Sequence, residues 1–202
     1  MSIDDTNPND SSVVTIFWSV AASCALHGFS ATVSGMVLAP SLSERFLIVD
    51  RSAEIQQILA EARTHLTDRT VLAETEPLIG SVEEYVPSQS WSQVLLRDHI
   101  VVDLIADFLD RVEPNLAPEL RPACGSFGPW LGRGTGSRVR WDAAMRHIIA
   151  GQRDKSAESL FARRLVGEVL SVAQRLFARH QALTAALTKA GGGEFDDLDL
   201  IN

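Results

Sequence analysis

Residues 13–39 read VVTIFWSVAASCALHGFSATVSGMVLA, and there is no Asp, Glu, Lys or Arg anywhere between residues 11 and 43. Elsewhere no uncharged stretch exceeds 12 residues, so folding must first hide this piece. Three outcomes fit such a run. It spans a bilayer, for which about 20 apolar residues suffice. It forms the central helix of a bundle, apolar all round because neighbours surround it. Or it breaks at Gly28 into two buried strands, 14–21 and 31–38.

Composition separates these outcomes. Ser19, Ser23, His27, Ser30, Thr32 and Ser34 dilute the apolar content expected of a span. Small residues four apart (Ala21 and Ala25, Ser30 and Ser34, Ala31 and Gly35) suit close helix packing in lipid or in a soluble core. Val13, Val14, Ile16, Phe17, Trp18 and Val20 favour a strand. The Ala-rich AASCA centre favours a helix.

Around this run the chain reads as one domain of 202 residues, long enough to bury a core without disulfides or metals. Residues 1–12 are expected to be a disordered acidic lead-in, 13–190 a single helical domain, and 191–202 a flexible acidic-hydrophobic tail. Two cysteines, Cys24 and Cys124, make no disulfide framework. The residues before the apolar run are acidic where a signal peptide is basic. The expected location is therefore cytoplasmic, with a single-span membrane anchor through residues 13–39 as the alternative.

Periodicity marks the other helices. Ile55, Ile58, Leu59, Ala62 and Leu66 give one helical face from about residue 52, capped by Asp50 or Ser52, with RFLIVD before it either a strand or an earlier turn. Leu78, Ile79, Val82 and Val86 mark a helix over 70–86 whose well-formed part starts at Pro77. Ser90 caps an amphipathic helix lined by Trp91, Val94, Leu95, Val101, Leu104, Ile105, Phe108 and Val112. Residues 114–137 are rich in Gly and Pro and read as loop. A short helix over 139–150 and a long one over 156–190 complete the chain. The expected class is mainly α, an irregular helical bundle around the buried apolar segment. The alternative is α+β, with a small N-terminal sheet from residues 13–49.

The net charge of −8 is unevenly laid out: residues 40–121 carry −8 and residues 133–189 carry +7, almost all of it Arg. Such segregation points to internal docking or to an anionic partner. Within the Arg-rich 132–179 region, residues 132–137 (GRGTGS) precede a helix, and successive glycines let N–H groups converge on an anion. Arg133, Arg138, Arg140 and Arg146 would supply the cations for a phosphate or nucleic acid. A P-loop is excluded, because no Lys follows the last Gly. The competing expectation is a solvated face paired with the acidic helix that holds Asp103, Asp107 and Asp110.

No catalytic or metal motif emerges. Cys24 and His27 have ligand-like spacing but lack a second pair. Cys124 lacks His or Asp context for nucleophilic chemistry. No cofactor is implied. Over a dozen residues, VLSVAQRLFARH (169–180) resembles the first helix of TetR-type regulators. The turn and recognition helix of that family do not follow, so nothing is carried over. After three glycines, the tip alternates acids with bulky apolar residues: Phe195, Asp196, Asp197, Leu198, Asp199, Leu200 and Ile201. An apolar peptide of this kind suits a groove, and its acids suit a basic rim. The functional expectation is a non-catalytic helical protein that binds another protein through this tip and through exposed faces of its long helices.

Overall fold

The computed structural model describes residues 8–66, 69–132, 136–152 and 155–190. Eight α-helices and two short 3-10 turns make up the fold, and no strand occurs among the described residues. The expected mainly α bundle is the fold found, and the α+β alternative is overturned. The helices are α1 (Pro8–Ser34), α2 (Leu42–His65), α3 (Arg69–Tyr85), α4 (Trp91–Val112), α5 (Arg121–Ser126), α6 (Ser137–Gly151), α7 (Ser156–Arg179) and α8 (Gln181–Ala190).

α1 lies at the centre and packs against α2, α3, α4, α5 and α8. Being surrounded is why its β-branched and aromatic residues need no sheet: Val13, Ile16, Phe17 and Trp18 are buried by helices instead. The chain does not break at Gly28. Instead the missing side chain admits the Trp130 ring, which a Cβ at Gly28 would meet at 3.0 Å. Polar residues on α1 find partners in neighbouring helices. Ser23 hydrogen-bonds Thr75 at 3.1 Å, His27 Nε2 lies 3.0 Å from Glu76 Oε1, and the Trp18 indole stacks on His65. By length and composition, Val13–Val37 is also able to cross a membrane, although half of that stretch is buried within the fold.

Several boundaries differ from expectation. RFLIVD belongs to α2, which starts eight residues before Asp50 at Leu42. Its cap is Ser41, whose side chain accepts from the Glu44 N–H and also bonds the Glu44 carboxylate. Pro77 lies inside α3. It sits on the exposed side with Ala73, where water can serve the freed carbonyl, while Thr75, Leu78 and Ile79 anchor the helix to the core. Ser90 caps α4 as expected, accepting from the Gln93 N–H.

The Gly/Pro-rich segment is a plug rather than a surface loop. Leu116, Leu120, Ala123, Cys124, Phe127 and Trp130 from it are all buried in the main core with α1 and α2. The long C-terminal helix is two helices broken at His180. There the backbone turns (φ −112°, ψ 69°), which lets Leu183 enter the core beside residues of α1. The expected lead-in and tail fall largely outside the described residues: α1 begins at Pro8, and residues 1–7 and 191–202 are not described.

Candidate interaction surface

α2 is the element that organises the candidate surface, because it is apolar on two opposite sides. Its inner face (Leu47, Ile48, Ile55, Ile58 and Ala62) is buried against α1, α5 and α6. Its outer face carries Leu42, Phe46, Val49, Ala53, Gln56 and Ala60, all exposed. At about 100° per residue these six fall within about 40° of one line, roughly opposite Arg51. Val37, 84% exposed, precedes this face; Leu42, Phe46 and Val49 are 67%, 60% and 52% exposed. On α1, Leu26 and Val33 are exposed as well. A cluster of large apolar side chains left in water marks a docking site more often than chance placement does.

A buried polar network fixes the rotation of α2. The Arg51 side chain has no solvent exposure. Its Nη1 donates to Glu54 Oε2 at 2.7 Å and to the Trp130 carbonyl at 2.9 Å. Its Nη2 donates to both oxygens of Asp98 on α4, at 2.8 and 3.1 Å. The guanidinium also lies 5.8 Å from the centre of the Trp141 ring. Trp130 Nε1 donates to Asp98, and the Ser137 hydroxyl donates to Glu54. One cation thus ties α2 to α4, α6 and the plug. The outer stripe, opposite Arg51, points away from all of them, and the four hydrogen bonds at Nη1 and Nη2 hold α2 in this rotation.

The candidate anion-binding residues are placed differently from one another. Arg138 is held by Asp103 of α4 and Asp142 of α6, and its Nη2 lies 2.9 Å from His99 Nδ1. Arg140 pairs with Asp50 of α2 at 2.6 Å. Arg146 donates to the Asp142 carbonyl. Arg133 and the glycine-rich residues up to Thr135 lie outside the described residues, as does the whole tip from Phe195 to Ile201. On α7, Arg175 pairs with Glu168, and Arg164 donates to the Tyr85 carbonyl. The Arg138–Asp103 pair is the docking of basic on acidic segment that the charge layout suggested.

Burial pushes the Cys24 thiol up to about 12, far from a reactive thiolate. Cys124 is 1% exposed, within the plug. Arg97 is buried beside Glu83 and the Phe161 ring; desolvation lowers its pKa, and the Glu83 charge works against that. Among the described residues no group of three or more His, Cys, Asp or Glu is placed to hold a metal ion.

The outer face of α2 was not recognised from the sequence. Its signal is the alternating four- and three-residue spacing from Leu42 to Ala60, overlaid on the stronger inner stripe. No protein-family model matches the chain, and a search of curated proteins finds no match either.

Proposed function

We propose that the chain is a non-catalytic helical protein that acts by binding another protein, with the outer face of α2 as its contact. The observation that carries this reading is the exposure of Leu42, Phe46 and Val49 on one side of a well-anchored helix, with the exposed Val37 just before it. The tip residues Phe195 to Ile201 supply a second, peptide-like contact. The anion-binding reading draws less support, since Arg138 and Arg140 already neutralise Asp103, Asp142 and Asp50. A cytoplasmic location with α1 as a core helix is supported by the buried Ser19 and Ser23 and by the pairing of His27 with Glu76. The test is co-purification from the native cells with tagged wild-type chain, Phe46→Glu and a chain lacking residues 194–202. The proposal expects a protein recovered with wild type to be lost with Phe46→Glu and reduced by the deletion. Equal recovery in all three refutes it.

A further inference from the structure

We infer that the partner at the outer face of α2 is a second copy of the chain, docked α2 against α2 in parallel about a two-fold axis running along the helices. This rests on the protein-binding reading above and names the occupant of the face. A helix that is apolar on two opposite sides is built to sit between two layers. The fold supplies only the inner one.

The spacing of the outer face is the second ground. Leu42, Phe46, Val49, Ala53, Gln56 and Ala60 alternate by four and three residues, the repeat of a two-helix seam. In that frame Phe46, Ala53 and Ala60 occupy one core position of the heptad, and Leu42, Val49 and Gln56 the other. Gln56 is the polar residue in the seam. Facing its own copy across the axis, it can hydrogen-bond there and fix the register.

Charge supplies the third ground and selects the direction. Arg45 flanks the seam on one side and Asp50 on the other, five residues apart. In a parallel pair that offset places Arg45 of each copy beside Asp50 of the other, twice by symmetry. Asp50 is half exposed and already faces Arg140, so Arg45 would add a second cation to the same carboxylate. An antiparallel pair centred on Ala53 would instead set residue 45 level with residue 61 and residue 50 level with residue 56, and would form neither Arg45–Asp50 pair. The seam from Leu42 to Ala60 is about 27 Å long. About five helical turns whose seam includes two alanines and a glutamine bury little area for a specific interface, so the dimer should dissociate on dilution.

The experiment is light scattering on the full chain at roughly 100 µM, a concentration chosen for a weak interface. The expected mass is twice the 22.0 kDa of the single chain. Phe46→Glu and Ala53→Glu, both at exposed positions, should each return it to the single-chain value with unchanged helical circular dichroism. Ala60→Cys should form an interchain disulfide under mild oxidation, because only the parallel register brings residue 60 beside its copy. A single-chain mass for wild type, a dimer indifferent to both Glu variants, or no cross-link at residue 60 overturns the inference. So does sedimentation of the wild type with phosphatidylcholine vesicles that Phe46→Glu abolishes. If wild type has a single-chain mass but a different protein recovered from cells is lost with Phe46→Glu, the second-copy assignment falls and the protein-binding reading stands. If that recovery is also unaffected, both fall.

Discussion

Replacing Arg51 by Met tests the anchoring of α2. The substitution keeps most of the side-chain volume and removes the cation that Glu54 and Asp98 share. Four hydrogen bonds go with it, two of them to Asp98 and one each to Glu54 and the Trp130 carbonyl. Both carboxylates stay behind, 7% and 6% exposed, with the Ser137 hydroxyl still donating to Glu54 and the Trp130 indole to Asp98. Removing one member of a buried ion pair costs about 3–5 kcal/mol, mainly because the other charge is left uncompensated. For a chain of this size each kcal/mol lowers the melting temperature by about 2–4 °C. The expected drop is therefore about 6–20 °C, read by circular dichroism at 222 nm. A triple variant, Arg51→Met with Glu54→Leu and Asp98→Leu, removes the stranded charges and should recover most of the loss. A single-variant cost below about 1 kcal/mol would mean that water reaches these carboxylates, and the network could not be what orients α2.

Four further outcomes follow from the packing. Gly35→Ala should destabilise by about 1–3 kcal/mol, because its Cβ would stand 2.6 Å from Cγ1 of the buried, stiff Val94; urea unfolding measures it. Gly167→Ala, in the exposed interior of α7 with nothing within 4 Å, should stabilise by about 0.5–1 kcal/mol in the same assay. Neither cysteine should react with a thiol reagent at pH 8 in the native chain, and both should react in guanidinium. Cys24 titrates near 12 when folded against 9.0 as its ordinary value. Its contribution to stability is therefore complete below about pH 9 and falls away as pH rises toward 12, by up to about 1.4 kcal/mol per unit. Cys24→Ala should flatten that part of the pH–stability curve.

What could be read in the sequence, and what could not, follows from where each signal resides. α4 was legible because Ser90, a single apolar face and Pro114 all act locally. The central helix was legible in outline, since an uncharged run of that length must be covered by something. The plug was not, because Gly and Pro signal loop while the burial of Leu116, Leu120, Phe127 and Trp130 is decided by the distant α1 and α2. The turn at His180 has no Gly or Pro to announce it and is set by the docking of Leu183. The outer face of α2 escaped because a helix with apolar residues on opposite sides shows no single stripe. The Arg51 network escaped for another reason. Charged residues read as solvent-facing, and Glu54, Asp98 and Ser137 meet only once the helices have packed.

If the protein-binding proposal holds, the outer face of α2 is covered by protein in the working state. The most direct measurement is photo-cross-linking in living cells, with a photoreactive phenylalanine placed at Phe46 and, as control, at the exposed Glu119 of the plug. A discrete protein adduct is expected from position 46 and none from position 119. No adduct at 46, or equal labelling at both positions, would contradict it.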